Sequence, residues 1–173
     1  NAKANVESAV RNAIEHKADG ILLTSWGDCG NHQPWAVLYP PLVYAAQLAW
    51  NGKQLEDTQI IDAVNRLVFG SEPESPAEII LEIGKLDEIV GARLPNTSLP
   101  WYLIFAPKVE KLAKYLNENQ SVQQMEKGLR FLTESRDALP ELSASPHARL
   151  ATEEANLGID LSIFAFEKAL GII

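Results

Sequence analysis

The chain has 173 residues, 46% hydrophobic and 22% charged, and this balance excludes an intrinsically disordered segment. Its 23 acidic and 15 basic residues give a formal net charge of −8, and no basic cluster is present to neutralise phosphates, so we expect no nucleic-acid partner. The uninterrupted apolar stretches are far shorter than a membrane span, so no membrane partner is expected either. The single cysteine, Cys29, excludes an internal disulfide.

The first part of the chain has a mixed pattern of helix, strand and loop. Apolar residues at helical spacing predict a helix over residues 4–17, which Asp19-Gly20 ends. Residues 21–26, with the sequence ILLTSW, form a short apolar run and are the only convincing strand in the chain. A loop rich in Gly, Asn and Asp follows over residues 27–34. Pro40 or Pro41 then begins a second helix, which ends at Asn51-Gly52.

The rest of the chain is predicted to be helical. One helix has its apolar positions between residues 60 and 68 and ends at Gly70, and another has an apolar stripe that extends from Ile79 to Val90. A break is predicted at residues 94–100. The predicted starts of the helices after Gly70 are Ser75-Pro76 (a capping box with Glu78), about Pro107, Ser121 and Ser145-Pro146. The polar residues expected on exposed helix surfaces are His16, His147 and the acidic pairs Asp87-Glu88 and Glu153-Glu154.

A single strand cannot form a sheet by itself. If it were buried alone, its backbone donors and acceptors would lack partners, which costs too much free energy for a native state. The order helix, apolar strand, glycine-rich loop, helix is the repeating unit of a parallel α/β fold. The fold class is therefore predicted to be mainly α: residues 1–52 are the closing αβα segment of a larger sheet or barrel, and residues 53–173 form an all-α helical domain.

The loop after the predicted strand is the candidate site. In α/β barrels, the loops that follow the strands build the active site. Residues 26–35 contain two indoles, Trp26 and Trp35, with the carboxylate of Asp28 and the imidazole of His32 between them. Aromatic faces stack on the C–H face of a sugar ring, and carboxylates bind its hydroxyls, so this composition favours a carbohydrate site. Trp50 lies on the helix that follows the loop. It is expected to pack that helix against the rest of the fold and not to touch a ligand.

The residues alone leave other interpretations open. Trp26 can belong to a barrel core, and Asp28 can be an Asx-turn residue that satisfies the loop backbone. Asp28, Cys29 and His32 are residue types that bind metals, but no second cluster exists in the sequence, and no metal site is expected. Cys29 could act as a nucleophile only with His32 as its base.

A family resemblance adds to this composition. Residues 18–34 (ADGILLTSWGDCGNHQP), Tyr39-Pro40 and residues 44–51 (YAAQLAWN) resemble the end of the catalytic barrel of family 20 glycoside hydrolases. The resemblance is strongest to bacterial β-N-acetylhexosaminidases that carry a helical C-terminal domain. It covers about the first 50 residues, and the helical remainder agrees only in general character. Ser25 stands where relatives usually have aspartate, and Cys29 where they usually have asparagine.

The resemblance implies a truncated (β/α)8 barrel and a role for each loop residue. Trp26 would belong to the aromatic pocket around the substrate's acetamido group, and Asp28 would bind sugar hydroxyls. His32 and Trp35 are further substrate-binding candidates. The parent protein would remove terminal β-linked N-acetylhexosamine by substrate-assisted retaining hydrolysis without a cofactor. The family's catalytic Asp-Glu pair ends an earlier barrel strand, so this chain is expected to contain no catalytic residue and to be inactive alone.

The expected partners follow from this interpretation. They are an N-acetylhexosaminide in the intact parent, the remainder of the barrel, and a second copy of the chain in a homodimer. The alternative is a non-catalytic helical interaction or assembly module. In that case residues 21–26 would pair with the sheet edge of a partner protein.

Overall fold

A computed structural model describes residues 2–25, 32–70, 76–92, 94, 97–105, 121–140 and 145–171. These residues are mainly helical and contain no β-strand, which confirms the prediction of a mainly α chain. The helices of this part of the chain are α1 (Ala2–Glu15), α2 (Tyr39–Asn51), α3 (Asp57–Val64), α4 (Pro76–Ile83), α5 (Leu86–Val90), α6 (Leu99–Phe105), α7 (Ser121–Ala138) and α8 (Pro146–Leu170). A 3₁₀ turn (Trp35–Leu38) precedes α2, and a π-helical segment (Asn65–Phe69) extends α3.

Helices α1 and α2 pack against each other. Val6 and Val10 are the buried residues of α1, and Tyr44 and Leu48 are buried on α2. Helix α2 ends as predicted, because Gly52 takes a left-handed conformation (φ 69°) and donates its N–H to Leu48 O at 2.9 Å.

The strand predicted at residues 21–26 is not formed among the residues that the structure describes. Residues 21–25 are neither helix nor strand, and Trp26 lies outside the described residues. Leu22 is 88% exposed and Leu23 is 43% exposed. A strand exists only when a neighbouring strand pairs its N–H and C=O groups, and the described residues provide none. The αβα segment is therefore not supported by the described structure.

In the middle of the chain, the helices begin and end largely where predicted. The backbone N–H of Glu56 donates to Gln59 Oε1 at 3.0 Å at the start of α3. The π-helical segment ends at Gly70, whose left-handed φ of 62° places its N–H 2.7 Å from Asn65 O. Helix α4 begins at Pro76 as predicted, and the proposed N-cap Ser75 lies outside the described residues.

Two predictions for this region were wrong. The helix predicted to continue to Val90 is interrupted at Gly84-Lys85 and becomes α4 and α5. Glycine is a poor helix former, and a Cβ at Gly84 would lie only 3.1 Å from Leu81 O. Helix α6 begins inside the predicted break, because Pro100 occupies the first turn, where an N–H has no acceptor within the helix. The helix predicted from Pro107 lies outside the described residues.

Helix α8 is the central element of the described structure. Helices α7 and α8 both begin where predicted, and Ser145 Oγ caps α8 by accepting from the N–H of Ala148 at 3.3 Å. Helix α8 contacts α6, α7, the π-helical segment and the 3₁₀ turn, so it joins the N-terminal part of the chain to the later helices. None of the described helices combines the length and the apolar character needed to cross a bilayer.

Candidate functional site

The structure places the predicted site residues in two groups. Trp26, Asp28 and Cys29 lie outside the described residues. His32 and Trp35 are described, and they lie in the segment that joins the predicted loop to α2. We call residues 32–36 the anchor segment. This segment lies on α8, and its contacts define the candidate site.

The imidazole of His32 is bound to helix α8. Its Nε2 lies 3.2 Å from Ser162 Oγ, and the Ser162 hydroxyl donates its hydrogen to Gly158 O at 2.8 Å. Because a serine hydroxyl has one hydrogen, Ser162 Oγ accepts from His32 rather than donating to it. The proton of the neutral ring is therefore on Nε2. The other nitrogen, Nδ1, is buried and has no hydrogen-bond partner among the described residues.

Helix α6 covers the other side of this imidazole. The ring centroids of His32 and Trp101 are 6.2 Å apart with an interplanar angle of 16°, and the indole of Trp101 also contacts Phe105, with centroids 4.4 Å apart. Burial lowers the pKa of His32 below its usual value. Burial therefore favours the neutral form of the ring, which donates its one N–H to Ser162.

Three residues of one face of α8 hold the anchor segment. Glu154 Oε2 accepts a hydrogen bond from the backbone N–H of Ala36 at 3.0 Å. Gly158 lies under Pro34, and a Cβ at this glycine would be 3.2 Å from Pro34 Cδ. Ser162 binds His32, as described above. The residues Glu154, Gly158 and Ser162, which we call the α8 stripe, are spaced four apart and so share one face of the helix.

Trp35 points away from this attachment. It is 64% exposed, whereas the next residue, Ala36, is fully buried. An indole held at the surface by a fixed backbone can stack on a sugar ring, as the sequence analysis suggested for Trp35. The half-buried imidazole of His32 contacts protein groups instead.

A cavity of about 400 Å³ lies beside the anchor segment. Its wall is mostly apolar and comes from α4, α5, the start of α6 and α8. The polar residues that line it are His32, Gln33, Asp87, Ser98 and Ser162. Burial raises the pKa of Asp87 and lowers that of His32, so it shifts both groups towards their uncharged forms.

The prediction that the two acidic pairs are solvated was correct for one residue of each pair and wrong for the other. Glu88 and Glu153 are exposed. Asp87 is half-buried, and its Oδ1 accepts from the N–H of Leu99 at 3.2 Å, at the beginning of α6. Glu154 is half-buried and bonded to Ala36. His16 and His147 are exposed, as predicted.

A second region of interest is an uncovered apolar surface near the predicted strand. Ile14 of α1 is 66% exposed and Trp50 of α2 is 89% exposed, so the prediction that Trp50 is packed was wrong. A groove of about 350 Å³ runs between these side chains and also touches Ile21. Leu22 and Leu23 follow Ile21 directly in the chain and are also exposed. We call the groove residues Ile14, Ile21 and Trp50, together with the neighbouring Leu22 and Leu23, the open face.

Sequence reasoning missed the α8 stripe because its partners are distant in the chain. Ala36 and Glu154 are 118 residues apart, and His32 and Ser162 are 130 residues apart. The only signal was the set of small or polar residues repeated every fourth position along helix α8. This pattern is weak, because small residues also occur wherever helices approach closely.

Within the described residues no group of three or more His, Cys, Asp or Glu side chains is placed to hold a metal ion. The comparisons with known proteins gave no assignment: no protein-family model matches the chain, and neither a curated protein nor a solved structure matches it.

Proposed function

We propose that this chain is the C-terminal part of a glycoside hydrolase that removes terminal β-linked N-acetylhexosamine. Residues 1–52 would be the closing αβα segment of a (β/α)8 barrel, and residues 53–173 its helical C-terminal domain. The motif SWGDCGNHQPW at residues 25–35 supports the assignment through its resemblance to family 20 glycoside hydrolases.

The observation that carries the proposal is the open face. Leu22 is 88% exposed and Trp50 is 89% exposed, although both lie in the part of the chain that would face the rest of a barrel. Exposed large apolar side chains that line one groove, as Ile14 and Trp50 do, mark a contact with another protein part. The neighbouring strands and helices of the barrel would cover this face and would pair the backbone of residues 21–26.

The proposed reaction uses the substrate's own acetamido group as the nucleophile. Its oxygen attacks the anomeric carbon, and water later opens the oxazolinium ion with retention of configuration. In this scheme Trp26 lines the acetamido pocket, Asp28 binds sugar hydroxyls, and Trp35 stacks at the edge of the site. The acid and the residue that orients the acetamido group would come from an Asp-Glu pair earlier in the barrel.

The proposal is tested by comparing two lengths of the protein. The 173-residue chain and the full product of its natural gene are assayed with chromogenic β-N-acetylglucosaminide and β-N-acetylgalactosaminide. We expect turnover only for the longer product. Asp28→Asn in that product should lower kcat/KM about 10- to 100-fold, because a charged hydrogen bond to the sugar is lost.

The control for Asp28→Asn is Asp19→Asn, which changes an exposed carboxylate in the same region and should leave kcat/KM unchanged. Hydrolysis by the 173-residue chain itself, or a longer product without activity towards either substrate, contradicts the proposal.

The open face also favours a second candidate, an interaction module in which residues 21–26 add to the sheet edge of a partner. The two candidates differ in the natural reading frame. An upstream region with alternating strands and helices and an Asp-Glu pair at a strand end indicates the hydrolase, and a start codon just before Asn1 indicates the module.

A further inference from the structure

The cavity beside the anchor segment is large enough for a small organic molecule. Its volume is about 400 Å³, whereas ligand pockets occupy about 300–1,000 Å³ and benzene fits an apolar cavity of about 150 Å³. Its walls come from the beginning of α1, the anchor segment and the 3₁₀ turn, and from α4, α5, the start of α6 and α8. A molecule bound here would contact both the N-terminal part of the chain and the later helices.

Most of the wall of this cavity is apolar. The larger apolar residues that line it are Val37, Ile80, Ile83, Leu86, Pro100 and Ile159. Water finds few hydrogen-bond partners against such a wall, whereas a hydrocarbon group is removed from bulk water there. The wall therefore favours a ligand whose larger part is apolar.

Asp87 is the only carboxylate among the described residues that line the cavity. Its Oδ1 accepts from the N–H of Leu99 at 3.2 Å, and none of the described lining residues is a lysine or an arginine. Burial raises the pKa of Asp87, and only the hydrogen bond from Leu99 opposes this shift. Asp87 is thus a half-buried acid without a neighbouring positive charge, and a cation in the cavity would stabilise its ionised form.

The other polar residues of the described lining supply no positive charge to Asp87. They are Gln33, Ser98, Ser162 and the neutral form of His32. The Nδ1 atom of His32 is enclosed and has no donor in the described structure, so its lone pair makes the polar part of the lining more negative. Water can donate a hydrogen bond to Asp87, but only a cation offsets its charge.

We propose that this cavity binds a small apolar amine, with its ammonium group on the carboxylate of Asp87 and its hydrocarbon part against the apolar wall. An ammonium group supplies both a positive charge and N–H donors, and the cavity lining lacks a positive group of its own. The proposal does not depend on the hydrolase function, because each of its contacts is made by described residues of the cavity.

The test uses the 173-residue chain and three ligands that share a phenyl ring. Isothermal titration calorimetry at pH 7.5 measures the binding of phenethylamine, of phenethyl alcohol, which is neutral, and of phenylacetate, which is an anion. We expect a Kd of about 1 mM or lower for the amine. The alcohol should bind at least about tenfold more weakly, because a charged hydrogen bond becomes a neutral one. Phenylacetate should not bind, because its charge would repel Asp87.

Two variants locate the ammonium group. Asp87→Asn keeps an acceptor for the N–H of Leu99 but removes the charge, so it should weaken amine binding at least about tenfold and leave the alcohol unchanged. Glu88→Gln is the matched control, because it removes the same charge from the adjacent exposed residue. It should leave the Kd unchanged, which separates the cavity from a general attraction of cations to a chain of net charge −8.

Urea unfolding gives an independent measurement. A ligand that binds only the folded state raises the unfolding midpoint. Phenethylamine should therefore raise the midpoint of the parent chain and of Glu88→Gln more than that of Asp87→Asn.

Three results would overturn the proposal: no binding of the amine at concentrations up to about 10 mM, equal binding of the amine and the alcohol, or equal amine affinity in Asp87→Asn and Glu88→Gln. If Asp87→Asn does not fold, the comparison of the three ligands on the parent chain still decides between support and refutation. Selective binding of the amine that is lost in Asp87→Asn supports the proposal.

Discussion

Gly128 on α7 lies where this helix closely approaches α5 and α8. A Cβ at this position would overlap the ring of Phe166 on α8 and lie 2.7 Å from Val90 Cγ2 on α5. Phe166 and Val90 are both fully buried, so neither can move away without disturbing its own neighbours. Glycine is thus required here by space, although it is a poor helix former.

We expect Gly128→Ala to lower the free energy of unfolding by about 1–3 kcal/mol, because overpacking outweighs the better helix propensity of alanine. Urea unfolding measures the change. Gly20→Ala is the control, since a Cβ at Gly20 meets nothing within 4 Å, and it should stay within about 0.5 kcal/mol of the parent. A stabilised Gly128→Ala variant would show that α5, α7 and α8 can separate easily.

Tyr44 joins α2 to α1 through a buried hydroxyl. Its Oη donates to Glu7 Oε1 at 2.5 Å, and Lys3 Nζ lies 5.0 Å from the centroid of its ring. Burial, and then the hydrogen bond and charge of Glu7, raise the pKa of Tyr44 to about 12. The folded state therefore keeps its proton at a pH where the unfolded state has lost it.

This shift predicts a loss of stability in alkaline solution. A pKa above the unfolded value of about 10 means that the contribution of Tyr44 is complete below pH 10 and is lost as the pH rises towards 12. Tyr44→Phe should remove this dependence and cost about 1–3 kcal/mol at pH 7. Unfolding curves at pH 7, 9 and 10.5 measure both effects.

The control is Tyr39→Phe, on the same helix, because the Tyr39 hydroxyl makes no hydrogen bond within the described structure. It should change stability little at any of these pH values. If Tyr44→Phe behaves in the same way, the bond to Glu7 contributes nothing.

At the scale of elements, the ends of helices were more predictable than their contacts. The ends at Gly52 and Gly70 and the starts at Ser121 and Pro146 were predicted correctly, because capping depends on residues within a few positions. The split between α4 and α5 was not predicted, since the apolar stripe continues through Gly84. Of the candidate site, sequence reasoning found His32 and Trp35 as residues of interest but not the stripe that holds them, which depends on contacts over more than 100 residues.

Asn65 makes another contact that was not predicted from the sequence. It caps helix α4, to which it does not belong. Its side chain is 6% exposed, and its Oδ1 accepts from the N–H of Ala77 in the first turn of α4 at 3.1 Å. The sequence indicated only Ser75 as the cap of this helix. Asn65 thus fixes the start of the π-helical segment against the start of α4.

We expect Asn65→Ala to cost about 1–3 kcal/mol, because it leaves the buried N–H of Ala77 without this acceptor. Asn65→Asp keeps an acceptor at a helix N-terminus and should retain most of the stability. Chemical denaturation measures the stability of each variant. The control is Asn12→Ala, which changes an exposed asparagine of α1. Equal losses for Asn65→Ala and Asn65→Asp would contradict the capping role.

For the whole molecule, the cavity beside the anchor segment predicts two opposite dependences of stability on pH. The folded-state pKa of His32 is lowered, so its contribution is present above the usual value of 6.5 and is lost as the pH falls below it. The folded-state pKa of Asp87 is raised, so its burial destabilises the fold as the pH rises above 3.8. Between pH 5 and 7.5, the His32 effect should make stability increase with pH.

Unfolding midpoints at pH 5 and 7.5 test this expectation. The difference between the two pH values should be smaller in His32→Gln than in the parent chain, because glutamine does not titrate. His16→Gln removes an exposed imidazole and should leave the difference unchanged. If both variants keep the full difference, acid destabilisation arises elsewhere in the molecule.

The late position of α8 has a consequence for how the protein is made. On a ribosome, Ser162 is added 130 residues after His32, a delay of roughly 7–26 s at ~5–20 residues per second. During this time the nascent chain has no surface on which to dock residues 32–36. Chaperones that bind apolar segments then have their longest opportunity on the earlier half of the polypeptide, before translation delivers the helix that organises it.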